Sequence, residues 1–306
     1  MADTRNRQRR HNRGQRQTSS RLPFTKMHGL GNDFVVIDLI SHPASLSSEQ
    51  IRELGNRHRG IGFDQLLMID APNRPDADFL YRIFNANGSE VEHCGNGARC
   101  FAKYVLDRGL IANSPIHVET ANRLLTLHRN TDGQVQVDMG EPEFTPASLP
   151  LDAQQQDSYQ TTVNADGSDH LIEFYAVSMG NPHAVLVVSD CENAPVKSLG
   201  ARIGKLPLFP QGVNVGFMEI QDRNHIRLRV FERGAGETEA CGTGACAAVV
   251  AGIKAGLLNN TVTATLNGGQ LQINWQGEGH PVLMTGPAAT VFEGHITLPK
   301  RAGTGE

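Results

Sequence analysis

The chain repeats itself, and that repeat limits its possible folds more than any other feature. At a constant offset of 147 residues, Tyr81 to Ala98 overlays Leu228 to Ala245. The identical pairs are Arg82/Arg229, Phe84/Phe231, Glu90/Glu237, Glu92/Glu239, Cys94/Cys241, Gly95/Gly242, Gly97/Gly244 and Ala98/Ala245. A fainter echo lies upstream, where Gly31-Asn32-Asp33-Phe34 and Gly180-Asn181-Pro182-His183 each precede an apolar strand. Asn32 stands 62 residues before Cys94, and Asn181 stands 60 before Cys241. Self-similarity of this kind marks two copies of one structural plan. Two half-chains of one topology imply two similar domains about a pseudo-twofold axis, with Cys94 and Cys241 facing each other. Small ligands bind in clefts between such domains.

Composition supports two packed domains. The 306 residues are 39% hydrophobic and 20% charged, enough apolar material for real cores. The longest nearly apolar run, Ala245 to Ile253, is about nine residues, whereas a membrane span needs about twenty. Residues 1–21 hold seven arginines (Arg5, Arg7, Arg9, Arg10, Arg13, Arg16, Arg21) and one acid, Asp3, a net of +6. The whole chain carries −4, so the remainder carries −10, which argues against specific nucleic-acid binding by the body. With almost no apolar side chain, this segment reads as a disordered basic tail. Its alternative reading is a weak polyanion-binding arm. Five cysteines, an odd count with no apolar leader segment before them, fit a reducing cytoplasm better than a disulfide framework.

The coarse pattern alternates short strands with a few helices. Strands are expected at 34–38, 65–69, 79–84, 116–119, 124–128, 135–138, 172–177, 184–188, 213–220 and 226–231, with several more between 262 and 298. Helices are expected at 48–57, 98–106 and 245–255, and residues 140–160 read as a linker or edge loop.

Each Cys-Gly-x-Gly-Ala motif follows an acidic loop and opens a helix. Unpaired N–H groups and the dipole at a helix N-terminus favour negative charge. The expectation is a thiol lowered from about 8.5 toward neutrality, beside N–H groups able to hold a carboxylate. A plain turn with a small buried thiol, a zinc site and a redox pair are the competing readings. Zinc is disfavoured because there is no C-x-x-C. Two opposed thiols around an anchored carboxylate suggest two-base inversion of a stereocentre: one thiolate removes the α-proton and the other thiol returns one on the opposite face. Helix-terminal donors would stabilise the carbanion. Nothing in the sequence points to pyridoxal phosphate or a dinucleotide.

With these motifs in hand, the chain from about Phe24 to Leu298 resembles diaminopimelate epimerase. The resemblance is carried by Phe24-Thr-Lys-Met-His-Gly-Leu-Gly-Asn-Asp-Phe34, Gly62-Phe-Asp-Gln65, Phe84-Asn-Ala-Asn-Gly-Ser-Glu90, Cys94-Gly-Asn-Gly-Ala-Arg-Cys100, Met179-Gly-Asn-Pro-His183, Gly212-Val-Asn-Val215, Glu232-Arg-Gly-Ala-Gly-Glu237 and Cys241-Gly-Thr-Gly244. It implies an α+β fold of two pseudo-symmetric domains, each a curved, mostly antiparallel sheet around a central helix. The domains would be 24–139 with a returning strand from 287–306, and 140–286, after a tail at 1–23. It implies a cytoplasmic homodimer that uses no cofactor and no metal to interconvert LL- and meso-2,6-diaminopimelate, for lysine and peptidoglycan synthesis.

Carried over position by position, Cys94 and Cys241 would be the acid–base thiols. Gly95, Asn96, Gly242 and Thr243 would hold the reacting α-carboxylate, with Asn32, Gln65 and Asn181 lining the same pocket. Asn85, Asn214, Glu232 and Arg233 would read the distal end, where a guanidinium fork suits a carboxylate. His183 and Glu232 would tune the thiols, and Phe292 would stand at the dimer contact. Arg82 and Arg229 read as ion-pair partners of the repeated acids. Cys100, Cys191 and Cys246 read as packing or surface thiols. A two-thiol racemase of the same architecture acting on proline or hydroxyproline is the nearest rival; the distal pocket discriminates against it, because a cyclic imino acid has no far ammonium or carboxylate for Glu232 and Arg233.

Overall fold

The computed structural model describes residues 21–91 and 94–298. The tail reading therefore falls, except at Arg21, outside the described residues. The first half runs β1 (Arg21–Gly29), β2 (Asn32–Asp38), α1 (Ser48–Gly55), β3 (Gln65–Asp70), β4 (Phe79–Asn85), β5 (Glu90–Val91), α2 (Gly95–Asp107), β6 (Ile116–Glu119), β7 (Leu124–Arg129) and β8 (Val135–Asp138). After β9 (Tyr159–Ala165), the second half repeats that order. It comprises β10 (Ser168–Ser178), β11 (Pro182–Val187), α3 (Val196–Ile203), β12 (Asn214–Asp222), β13 (His225–Glu232), β14 (Gly236–Thr238), α4 (Gly242–Lys254), β15 (Thr261–Leu266), β16 (Gly269–Asn274) and β17 (Leu283–Gly286), and the chain closes with β18 (Ala289–Thr297).

The pairing repeats as well as the order. The parallel pairs β2/β3 and β4/β6 in one half answer β11/β12 and β13/β15 in the other. The halves join where β8 runs antiparallel to β17, Val135 opposite Gly286 and Asp138 opposite Leu283. The trailing strands are exchanged. β9 follows the first half in sequence but pairs with β10, and β18 follows the second half but pairs with β1. Arg21, Leu22 and Pro23 belong to β1, not to the tail expected at 1–23: Arg21 opposes Thr297, and Leu22 is buried in the core that holds Ile296.

Helices α2 and α4 lie inside the curved sheets. Ala98, Cys100, Phe101, Ala102 and Val105 of α2 are buried, as are Ala245 through Ala251 of α4. The small side chains of α4 let it be covered on every side, as expected of a helix apolar all round. One core cluster contains residues of both helices, and two smaller clusters lie under α1 and α3. α1 starts where its sequence says it should: the Ser47 hydroxyl accepts from Gln50 N–H at 3.2 Å, and the Gln50 side chain returns to Ser47 N–H at 2.9 Å. The expected linker at 140–160 contains a 3₁₀ turn at Pro146–Ser148 and a bridge between Glu143 and Ser178. No described helix is long and apolar enough to cross a membrane.

Candidate active site

Each repeated cysteine caps a central helix. Cys94 is extended (φ −148°, ψ 109°) and its Sγ accepts the Gly97 N–H at 3.5 Å. Cys241 is extended likewise (φ −111°, ψ 106°) and its Sγ accepts the Gly244 N–H at 3.4 Å. A thiol thus does the work usually given to a serine or aspartate oxygen, satisfying an orphan donor at the helix start. Glycine is required at 97 because a Cβ there would lie 2.3 Å from the Tyr81 hydroxyl. At Gly242 a Cβ would come to 3.1 Å from Asn96 Oδ1, so the two helix ends approach each other closely. Asn96 Nδ2 spans that approach, donating to Ala240 O at 3.0 Å and to Asn32 Oδ1 at 3.3 Å.

Both thiols open on one cleft of about 1370 Å³. Of the residues singled out in the sequence, Asn32, Gln65, Asn85, Gly95, Asn96, Asn181, Glu232, Gly242 and Thr243 line it with Cys94 and Cys241. Gln65 Nε2 donates to Asn85 Oδ1 at 3.1 Å, while Gln65 Oε1 is buried without a hydrogen-bond partner. Asn181 Nδ2 donates to Thr243 Oγ1 at 3.4 Å, and Thr243 Oγ1 lies 3.6 Å from Cys241 Sγ.

Four of the site residues carried over from the resemblance stand outside the lining. His183 is buried and its Nε2 meets Asn181 Oδ1 at 3.0 Å, so it reaches the cleft through Asn181. Asn214 Oδ1 accepts the Arg233 N–H at 2.8 Å, and the Arg233 fork donates to Gln211 O at 2.7 Å. Phe292 lies on β18, 48% exposed beside Val291 at 56%, edge-on to Phe24. Cys100, Cys191 and Cys246 are buried. The repeated arginines pair with the repeated acids: Arg82 Nε donates to Glu90 Oε1 and Arg229 Nε to Glu237 Oε1, both at 2.7 Å.

The sequence reading missed a charged rim. Asp33, Arg57 and Asp64 line the cleft. Arg57 donates to Asp33 Oδ1 and to Asp64 Oδ1, both at 2.7 Å, and Lys26 Nζ donates to Asp33 Oδ2 at 2.5 Å. Asp64 Oδ2 in turn accepts from Asn32 Nδ2 at 2.8 Å. Asp33 and Asp64 sit within the motifs quoted above, but nothing in the sequence distinguishes Arg57 from a surface arginine.

The thiols are not lowered toward neutrality. Burial pushes Cys94 up to about 11, against the Gly97 N–H, which favours its thiolate. Burial raises Cys241 well above the ordinary thiol value, and the neighbouring Glu232 carboxylate raises it further. The helix ends act as expected, but desolvation of the charged form outweighs them. Glu232 is itself raised by burial, against hydrogen bonds from Thr238, at 2.5 Å, and Cys241. Burial, with Arg233 nearby, lowers His183 to about 3, so it is neutral at neutral pH.

Comparison with known proteins gives one family. The family model described as diaminopimelate epimerase matches residues 24–145 and 175–291. A diaminopimelate epimerase of Pseudomonas savastanoi pv. phaseolicola is 56% identical over 90% of this chain and 99% of its own length. One of Ectopseudomonas mendocina is 54% identical over the same shares. Among solved structures, a hydroxyproline epimerase from Agrobacterium vitis aligns with a TM-score of 0.65 at 16% identity, covering 92% of this chain and 94% of its own. A phenazine biosynthesis protein from Bacillus anthracis aligns at 0.63 and 16% identity, covering 90% of this chain and 99% of its own. At such identities these two structures speak to the fold alone.

Proposed function

The chain belongs to the diaminopimelate epimerase family and interconverts LL- and meso-2,6-diaminopimelate, and we propose that it does so with the two thiols that cap α2 and α4. The observation that carries this reading is the pair of equivalent N-cap thiols opening on one cleft. The substrate α-carboxylate lies between the two helix N-termini, where backbone N–H groups and the dipoles favour an anion. One thiolate takes the α-proton and becomes a thiol. The resulting carbanion is held by the same donors. The opposite thiol gives its proton to the other face and becomes a thiolate, so charge and protons balance and the centre is inverted.

The neighbours suit opposite starting states. Glu232 disfavours a thiolate at both sulfurs, but it stands next after burial at Cys241 and accepts directly from that thiol, so Cys241 rests as the thiol and Cys94 is the first to ionise. The Glu232 carboxylate, which accepts from Cys241, suits the ammonium group at the reacting centre rather than the distal end, and the unpartnered Gln65 acceptor suits a donor of the substrate. Arg233 and Asn214 join the distal set once Arg233 turns from Gln211 into the cleft, and His183 acts by fixing Asn181. A division into one domain from residue 21 to 139 with the returning strand β18, and a second at 140–286, would leave the cleft between them.

The protein works in a reducing cytoplasm, which keeps all five cysteines free. It works as a homodimer through the exposed Val291–Phe292 edge of β18. The test is α-proton exchange in D₂O followed by NMR, with LL-diaminopimelate, meso-diaminopimelate and L-proline offered separately to the reduced protein. Exchange and inversion of diaminopimelate alone is expected. Exchange of proline instead overturns the distal assignment, and exchange of none of them overturns the reading.

A further inference from the structure

Arg99 is fully buried in α2, one turn beyond the Cys94 cap, and no carboxylate pairs with it among the described residues. Its guanidinium is spent on neutral acceptors. Nη2 donates to Asn96 Oδ1 at 3.1 Å and Nε to Pro287 O at 3.2 Å, and Nη1 lies 3.7 Å from Met284 Sδ. A lone buried cation is expensive to desolvate, and an apolar residue of the same volume would serve packing better. The two glycines that flank it, Gly29 and Gly286, would each bring a Cβ to 3.1–3.2 Å of its nitrogens, so the surroundings are shaped to admit it.

A guanidinium donates and never accepts. The Asn96 oxygen must therefore face Arg99, and its NH₂ must face Asn32 Oδ1 and Ala240 O. From the other side, the Asp64 carboxylate, ion-paired with Arg57, accepts, so the Asn32 NH₂ faces Asp64 and the Asn32 oxygen faces the thiol. Cys94 Sγ lies 3.9 Å from that oxygen. Both amides are thus fixed in one sense by a charge at each end of the chain Arg99–Asn96–Asn32–Asp64. Asn96 also ties the start of α2 to the residue preceding Cys241.

We propose that Arg99 is a positioning residue for the epimerase reaction: it locks the Asn96 amide that ties the two thiol-bearing helix ends together, and it supplies a buried positive charge beneath the point where substrate carboxylate and Cys94 thiolate meet. The inference rests on the thiol-pair reading above. It assigns a role to the only charged side chain of the Cys94 helix start, and it separates two effects that one residue combines, orientation and charge.

The experiment compares wild type, Arg99→Lys and Arg99→Met by α-proton exchange and inversion of LL-diaminopimelate across pH, with folding checked by circular dichroism. Lysine keeps the charge but not the fork. It is expected to lower kcat about tenfold, leave KM within about twofold, and keep the acidic limb of kcat/KM where wild type has it. Methionine keeps the bulk but loses the charge. It is expected to lower kcat further and move that limb up by about one pH unit, a displacement that loosened packing alone does not produce. A folded Arg99→Met protein with the wild-type limb and kcat overturns the inference. If Arg99→Met does not fold, Arg99→Lys decides: reduced kcat with an unmoved limb supports the inference, and wild-type kcat overturns it. Absence of exchange in the wild type itself counts against the thiol-pair reading and not against Arg99 alone.

Discussion

Around Cys94 the cleft presents amides, with Asn32 3.9 Å from its sulfur and Asn96 behind. Around Cys241 it presents a hydroxyl, Thr243, and a carboxylate, Glu232. These are counterparts in the repeat: Asn96 corresponds to Thr243 and Asn85 to Glu232 at the same offset of 147 that relates the cysteines. The backbone treats the two thiols alike, each capping its helix and accepting the N–H three residues on. The side chains treat them differently. After burial, the next influence on Cys94 is the Gly97 N–H, which favours the thiolate. The next influence on Cys241 is the Glu232 charge, which opposes it. On the proposed two-thiol mechanism, symmetry of the fold sets the geometry of a two-faced reaction, and asymmetry of the neighbours sets which thiol starts with the proton.

Removing either thiol breaks the comparison most severely. Cys94→Ala and Cys241→Ala are each expected to lower inversion at least about 10³-fold, read by the NMR exchange assay, with folding retained because α2 and α4 keep their buried faces. Next comes Glu232→Gln, which takes away a charge that raises both thiols but ranks next after burial only at Cys241. The Cys241 midpoint moves down, and the two thiols titrate closer together. Turnover falls roughly 10–100-fold, and a pH–rate profile unchanged from wild type would sink this assignment.

A smaller, structural difference lies in the rim. Asp33 has Pro182 as its counterpart, so only the first half carries the Lys26–Asp33–Arg57 cluster. Burial alone would raise Asp33, but hydrogen bonds from Arg57 and Lys26 hold it well below the usual carboxylate range. A depressed carboxyl contributes stability that is fully present above its unfolded value of about 3.9 and is lost as pH falls toward the folded value. Asp33→Asn is expected to cost about 2–3 kcal/mol at neutral pH and to flatten the acid limb of stability, measured by denaturant titration from pH 7 down to 3. The smallest effect is at Tyr81, whose counterpart is Leu228 and whose buried hydroxyl has no hydrogen-bond partner. Tyr81→Phe is therefore expected to be neutral or to stabilise by up to about 1 kcal/mol, and a loss of more than that would reveal a bound partner for the hydroxyl.

Much of this was legible in the residues. The repeat foretold the duplicated topology, and the Cys-Gly-x-Gly spacing foretold thiols at helix starts. β1 was harder to read because it carries Lys26, which looks solvent-facing but is nearly buried against Asp33 and the Gly62 carbonyl. α3 escaped because Pro195 offers no side-chain cap to announce it. β9 escaped because its polar neighbours masked the alternation of buried Tyr159, Val163 and Ala165. The direction of the thiol shifts was not legible at all. A helix N-terminus is visible in a sequence, whereas the depth at which it is buried is a property of the packed halves. Arg57 and Arg99 share that lesson in part, since Asp33 for the one and Pro287 and Met284 for the other come from other segments.

The most direct test is the pH dependence of alkylation at Cys94 and Cys241, followed by mass spectrometry in the same reduced sample. Each midpoint is read from its own curve, so that burial of one sulfur does not bias the comparison. The account predicts a lower midpoint for Cys94 than for Cys241, with the gap narrowing in Glu232→Gln. Coincident midpoints, or a lower one for Cys241, would contradict the claim that unlike neighbours give like thiols opposite protonation states.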